Sequence, residues 1–501
     1  MTIETELKLR ITPQHLARLK RHSLLKDHQL ARPVARRLYN IYFDTPELDL
    51  HRSAMALRLR RSGSQWLQTL KGGGSIKAGL HQRNEWEVPV SGAALDFSIP
   101  EAAEWDTLLP VALRKKLQPV FVTDFSRSSR IVSWQGAHIE VCMDHGEITT
   151  ELLSQPICEL ELELKSGSPR QLFELALSIW DIVPFEIEVV NKAEYGFRLL
   201  AGLNEQPCKS EPPKLTPADS LIHGLQTAIW SCFLHLQKNW HGALVGDDAD
   251  FLHQVRVALR RLRVLLHFMQ QLRNDETLGC FTAEIADLSV ALGQVRDWDV
   301  FIAQTLQPLC KAGAKRDGWP ALLANSQTRR AICHTALRAQ AHEMQSLMLR
   351  FALWMYGDYW TRLAEDERQV SDLAAHRLNK LAHRFALMLV RLDERDAYQL
   401  HELRIMAKKL RYSAEFFGGW FDDTHAGSFL GALGEVQQVL GHINDAAVAY
   451  RLLDELVANG TKHSRAMDRV RDAITESLHH HFDALPHALR HFDKQQIFWR
   501  A

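Results

Sequence analysis

No apolar run in this 501-residue chain approaches 18 residues, and its opening MTIETELKLR holds no signal-peptide core, so a cytoplasmic protein without a membrane partner is expected. Net charge is lacking too. Sixty Lys and Arg balance sixty Asp and Glu, so no global field marks a nucleic-acid or membrane binder, and any anion site must be built from local clusters. The seven cysteines are scattered and form no C-x-x-C pair, which argues against a disulfide framework and a thiolate zinc site. There is no Gly-x-x-x-x-Gly-Lys-Ser/Thr loop and no dinucleotide fingerprint, so the common nucleotide-binding modes are unsupported. Histidine, in contrast, is abundant, with 25 copies, 18 of them after residue 220.

Length alone predicts two or three domains. Residues 204–220, NEQPCKSEPPKLTPADS, hold four of the 17 prolines and no apolar periodicity. This stretch reads as a linker, and the boundaries expected are 1–203, linker 204–217, and 218–495. Before it the pattern is mostly period two, with strands expected over 2–10, 35–44, 55–61, 66–71, 82–90, 119–125, 127–134, 138–144, 147–153 and 157–165. Thr12-Pro13 and Ser168-Pro169 start helices, and Asp144-His145-Gly146 is expected to be a hairpin turn. After Ser220 the period becomes 3.6 and the chain repeats itself. His253-Gln-Val-Arg256 with Arg260 is matched by His401-Glu-Leu-Arg404 with Lys408, and Leu292-Gly293-Gln-Val-Arg-Asp297 by Leu440-Gly441-His-Ile-Asn-Asp445, both offset by 148 residues. Two matches in one register predict two copies of a helical-bundle unit. The fold class expected is α+β multidomain, with a mainly antiparallel sheet followed by an all-α half.

On the first strand Glu4, Glu6, Lys8 and Arg10 share one face, and on a later one Glu159, Glu161, Glu163 and Lys165 do the same. Carboxylates two residues apart along a strand stand only ~6.6 Å from one another, so several acidic strands side by side need cations between them. Hard divalent ions such as Mg²⁺ or Mn²⁺ take such oxygen ligands. Interleaved strands bring the opposite charge: Arg58 and Arg60, Lys71, Arg83 with Glu85 and Glu87, Arg130, Asp144, and Lys192. Closed into a barrel, such a face suits a polyanion held by Arg and Lys with metal bridging to the acids, and phosphate chains are the obvious polyanion.

Glu4-Thr-Glu6-Leu-Lys8 resembles the E-x-E-x-K signature of the CYTH superfamily, the triphosphate tunnel metalloenzymes. The likeness continues in order through Leu57-Arg-Leu-Arg60, Thr69-Leu-Lys71, Arg83-x-Glu85-x-Glu87, Arg130, Glu140 to Asp144, Glu161/Glu163 and Lys192. The resemblance implies an eight-stranded antiparallel tunnel that hydrolyses a triphosphate with divalent metal, Mg²⁺ or Mn²⁺. It implies Glu4, Glu6, Glu161 and Glu163 as metal-side acids, with Glu159 a competing third acid on that strand. It implies Lys8, Arg58, Arg60, Lys71, Arg83, Arg130 and Lys192 as phosphate binders, and Glu85 or Glu87 with Asp144 as the rest of the acidic set. In the mechanism expected, cations neutralise the phosphate oxygens before water attacks in line, releasing pyrophosphate and orthophosphate.

In the helical half, His253, Arg256, Arg260, Arg263 and His267 are spaced 3, 4, 3, 4 and form one stripe without an acid; His401, Arg404, Lys408 and Arg411 repeat it. An ordinary exposed helix mixes Glu with Lys at i,i+4, so paired basic stripes point to an extended anion. Nucleic acid is the competing anion, but charge is nearly balanced here and no recognition motif is present. No His-Glu-x-x-His zinc motif occurs. This half resembles the CHAD family, a histidine-containing α-helical domain. That likeness implies two four-helix bundles related by pseudo-symmetry, with a basic groove for long-chain polyphosphate lined by His253, Arg256, Arg260, Arg263, His401, Arg404, Lys408 and Arg411. Together the two halves imply an inorganic triphosphatase with a polyphosphate-docking module. The rival expectations are another enzyme on the same tunnel (a thiamine-triphosphatase, an adenylate cyclase or a nucleoside triphosphatase) and a non-catalytic polyphosphate-binding protein.

Overall fold

The computed structural model of the chain describes residues 2–499 except 78, 100–104, 106–107, 214, 217, 247, 313–316, 364–369, 395 and 422–424. It divides into two compact units, Met1–Gln206 with His342–Asp358, and Pro207–Ala341 with Tyr359–Ala501.

The first unit is a closed antiparallel barrel. Its strands are β1 (Thr2–Arg10), β2 (Val34–Asp44), β3 (Met55–Ser62), β4 (Gln65–Lys77), β5 (Leu80–Val90), β6 (Gln118–Trp134), β7 (Ala137–Thr149) and β8 (Ser154–Ser166). They run β5-β4-β3-β2-β6-β7-β8-β1, and pairing of β1 with β5 closes the ring; a two-residue β9 (Glu186–Ile187) extends β1. The polarity of an ordinary small barrel is inverted. Leu7 and Leu9 of β1 and Leu160 and Leu162 of β8 are buried on the outward face, and the charged rows point inward. Alternation at period two makes both faces possible at once. On the barrel's inner side Tyr42 and Phe125 pack with Phe121 and Phe197, and helix Lys192–Leu200, capped by Asn191 Oδ1 accepting from the Glu194 amide at 3.0 Å, feeds Lys192 into the interior.

Two local expectations are corrected. Asp144-His145-Gly146 is not a turn: β7 runs straight through it, because Gly146 lies where a Cβ would meet the Asp124 carbonyl at 2.2 Å, a close strand approach. The hairpin instead turns at Gln135-Gly136, both in the left-handed region. The strands expected at 119–125 and 127–134 are likewise one strand, β6.

Both proline-initiated helices form, at Pro13–Arg21 and Pro169–Trp180. Part of the chain expected to belong with the helical half completes the first unit. In helix Ala341–Met355 and the residues just after it, His342 packs on Trp180 (ring centroids 4.4 Å), Tyr356 stacks on Phe173 (5.7 Å), and Gln345 accepts from the Ile187 amide at 3.3 Å.

The stretch expected as a linker forms no helix or strand among its described residues; positions 214 and 217 lie outside them. Cys208 is tied down by Asn239, which exchanges two hydrogen bonds with its backbone at 2.9 and 3.0 Å. In the second unit four helices, Leu221–Val245, Ala249–Leu272, Glu276–Val300 and Trp319–Ala339, precede a second four, Val370–Val390, Ala397–Phe417, Ala426–Ala458 and Arg465–Asp493. Asp248 and Asp396 cap the two stripe helices at equivalent positions. The helices of each set pack on their sequence neighbours, and the stripe helices also meet across the two sets. Glu276–Lys311 is long and apolar enough by composition to cross a membrane, but it is built into this unit, with Leu292, Val295, Trp298 and Phe301 buried.

Candidate functional site

Inside the barrel the register sets opposite charges side by side. Lys8 stands across from Glu161, Glu4 from Arg83, Lys71 from Glu85, and Asp144 from Arg127; on its other side Asp144 meets a like charge, Glu159. Lys8 bonds Glu161 and lies 2.9 Å from Glu6; Lys71 bonds Glu4 and lies 3.2 Å from Glu85, which is 3.6 Å from Arg58. Arg127 grips Asp144 with two donors, at 2.8 and 2.6 Å, and also reaches Glu161. Lys192 contacts Asp144 at 2.7 Å, Glu161 at 3.0 Å, and Glu159. The repulsion expected between stacked acidic strands is relieved by these interleaved cations.

A cavity of about 70 Å³ remains at the centre. Among the described residues, Lys8, Arg58, Arg60, Lys71, Arg83, Arg127 and Lys192 line it, against Glu4, Glu6 and Glu161 as the acids. This surplus of positive charge is felt by Arg60, whose guanidinium is pushed down to about 10 by burial and by Arg58 and Arg127. Asp144, Glu159 and Glu161 form a buried trio whose carboxylate oxygens lie within 4.8 Å of one another. Burial pushes Glu159 up to about 7, whereas at Glu161 burial is outweighed by Lys192, Lys8 and Arg127, which hold it well below the usual range. All three are hard oxygen donors, a set that fits Mg²⁺ or Mn²⁺.

Most of the residues picked from sequence converge here; Arg130, Glu163 and Glu87 do not. Arg130 sits on the opposite face of β6, where it donates to the Lys20 carbonyl at 3.3 Å, and Arg127 takes the interior position. Three residues is an odd step along a strand, so the two cannot share a face. Phe125, which lines the cavity, has the parity of Arg127 and shows which of the two arginines faces inward. Glu163 lies further out, bonded to Lys165 at 2.6 Å, and Lys165 also reaches Glu140 at 3.0 Å. Glu87 accepts from the Thr69 hydroxyl at 3.0 Å at the exposed end of β5. Sequence reasoning passed over Asn40, which accepts from Arg60 Nε at 2.8 Å, and His81, which is 1% exposed and held neutral, down to about 3, by burial and Lys8.

In the helical unit the two stripes meet at two adjoining cavities. His253, Arg256, Arg260, His401 and Arg404 line one of about 940 Å³; His253, Arg260, Lys408 and Arg411 line the other, of about 740 Å³. Arg411 is paired with Glu415 at 2.8 Å. Arg263 lines neither; with His267 it faces Arg377, Arg384 and Lys409, because the stripe is longer than the stretch over which the cavities run. Burial and the neighbouring Arg260 push Arg256 down to about 10, and burial with Arg260 and Arg404 pushes the Lys408 ammonium down to about 6. Buried cations that depress one another in this way form a site short of anions.

These features agree with known families. The CYTH domain family matches residues 2–184 and the CHAD domain family residues 227–454. The chain carries a CYTH domain and a CHAD domain. Over 209 residues it is 34% identical to an inorganic triphosphatase of Haemophilus influenzae, covering 40% of this chain and 55% of that protein. An uncharacterized protein of Mycobacterium tuberculosis is 27% identical over 283 residues, 52% of this chain and 51% of that one. The chain thus spans about half the length of the curated relatives it matches. The crystal structure of the CHAD domain from the plant Ricinus communis superposes with a TM-score of 0.51 at 27% identity, covering 57% of this chain and 97% of that domain.

Proposed function

We propose that the CYTH domain hydrolyses inorganic triphosphate to pyrophosphate and orthophosphate, and that the CHAD domain binds long-chain polyphosphate. The observation that carries the first part is the convergence of seven cations and three carboxylates on one narrow cavity within a closed barrel. Five of the cations, Lys8, Arg58, Lys71, Arg127 and Lys192, are already engaged by wall carboxylates, so a triphosphate competes for them, and its own charge replaces that of the acids. Lys8, Arg58, Arg60, Lys71, Arg83, Arg127 and Lys192 bind phosphate oxygens; Glu85 orients Lys71 and Arg58, and Asp144 orients Arg127 and Lys192. A divalent cation, Mg²⁺ or Mn²⁺, held by Asp144, Glu159 and Glu161 together with Glu4 or Glu6, would supply further neutralisation and polarise water. With the charge of the chain cancelled, water can approach the terminal phosphorus in line.

The test is phosphate release from tripolyphosphate with Mg²⁺ or Mn²⁺, against EDTA and against ATP and thiamine triphosphate. Metal-dependent release that prefers tripolyphosphate is expected. Preference for an organic triphosphate overturns the substrate, and no release from any of them leaves a binding protein. Glu4→Ala or Glu6→Ala should abolish metal-dependent turnover. Reversal of Arg256 and Arg260 to Glu should weaken binding of long-chain polyphosphate.

A further inference from the structure

The repeated Leu-Gly-x-x-x-Asp segment is left without a role by the basic stripes. Gly293 and Gly441 lie in the middle of long helices, where glycine is a poor helix former, and both line the 940 Å³ cavity. Neither is explained by tight apolar packing. At Gly293 a Cβ would meet Arg256 Nη1 at 2.9 Å, and that guanidinium crosses the glycine to donate to the Ser289 carbonyl at 3.0 Å. At Gly441 a Cβ would meet nothing within 4 Å, so the space above this helix is empty. Gly441 also lines the 740 Å³ cavity, next to an independent sign of a missing anion. Arg261, 4% exposed and seated over the Phe416 ring at 4.9 Å, lines that cavity with its Nε and Nη2 lacking any hydrogen-bond partner. The Nε atoms of Arg260 and Arg404 are likewise buried and unpartnered.

We propose that Gly441 and Gly293 shape the floor of the anion groove: at Gly441 the absence of a Cβ lets an unbranched phosphate polymer lie against the helix, and at Gly293 it lets the Arg256 guanidinium lie across the helix and face that polymer, so that guanidinium groups from both copies reach it. A Cβ at Gly293 would stand 2.9 Å from Arg256 Nη1, so alanine there shifts the end of that side chain and its bond to the Ser289 carbonyl. The inference rests on the polyphosphate-binding reading and adds two positioning residues to it. Slenderness becomes a selection criterion: a phosphate chain has no base or sugar to lift it off the floor.

The experiment measures long-chain polyphosphate binding and thermal unfolding of the full chain for Gly293→Ala and Gly441→Ala. Gly427→Ala and Gly431→Ala serve as controls in the same helix as Gly441; both have open space around them and lie outside the two cavities. Each floor variant should lose about tenfold in affinity, the scale of one charged hydrogen bond. Its melting temperature should hold or rise by about 2 °C, since alanine favours helix. The controls should bind as the parent does. Parental affinity in both floor variants, or an equal loss in the controls, overturns the proposal. Arg260→Glu separates the two levels. If it too binds normally, the polyphosphate reading itself is wrong; if it loses binding while the floor variants do not, only the glycine inference falls.

Discussion

Lys408 provides the most exacting test of the groove. It is half-buried, faces Arg256 and Arg260 from one stripe helix and Arg404 on its own, and is opposed by Asp445 of the Ala426–Ala458 helix. Burial, then Arg260 and Arg404, push it down to about 6, so in the free protein it is largely neutral at pH 7 to 8. A bound polyanion reverses this by neutralising the arginines, and the lysine takes up a proton as the anion binds. With a free-state pKa of about 6 and a bound-state pKa above the working range, the dissociation constant scales as one plus the ratio of neutral to charged lysine. It therefore weakens about 50-fold between pH 6 and pH 8. In the free protein folding itself expels the proton, so this group's contribution to stability improves as pH rises from about 6 towards the ordinary lysine range. The assay is calorimetric titration with long-chain polyphosphate, whose interior phosphates do not titrate in this interval, in two buffers of different ionisation enthalpy. About one proton taken up per site at pH 7 to 8 is expected. Lys408→Arg keeps the charge fixed and should flatten the profile, isolating the lysine's share from that of nearby imidazoles. A dissociation constant independent of pH in the parent, with no proton uptake, would refute the reasoning.

Further predictions concern the tunnel and its packing. Arg127→Ala should lower triphosphate turnover by about 10²-fold or more, the scale of losing one preorganised cation, whereas Arg130→Ala should leave it within a few-fold. Equal effects would contradict the parity assignment. Glu161→Gln should weaken Mn²⁺ binding, measured by calorimetry without substrate, far more than Glu163→Gln, since only Glu161 belongs to the buried trio. Phe351→Ala should cost about 3–5 kcal/mol of stability, read from denaturant unfolding, because the ring is 1% exposed in the helix that completes the first unit. A cost below about 1 kcal/mol would mean the segment is merely draped there.

Much was legible in the chain because both periodicities are local. Alternation along Ile3–Arg10 and Glu159–Lys165 already placed acids and bases on one face, and a spacing of 3 and 4 placed His253, Arg256 and Arg260 on one helix stripe. The 148-residue repeat named the two helices that meet. What alternation alone could not supply was the exact parity of a long, continuous strand. Likeness to a family motif picks out Arg130, and only the placement of β6 shows that Arg127 has the inward parity; reading β7 as two segments allowed a turn at Gly146.

The sequence by itself therefore determined the two-part organisation, the inward charge of the barrel strands and the basic stripes, since each depends only on neighbours a few residues apart. Tertiary structure alone decided which charges meet. Pairing of Lys8 with Glu161, 153 residues apart, depends on register between β1 and β8; that of Arg127 with Asp144 depends on register across the β6–β7 hairpin, and that of Lys192 with all three acids on where its helix enters the barrel. It also decided that helix Ala341–Met355 belongs with the first unit, because a helical period records which face is apolar but not what that face will cover.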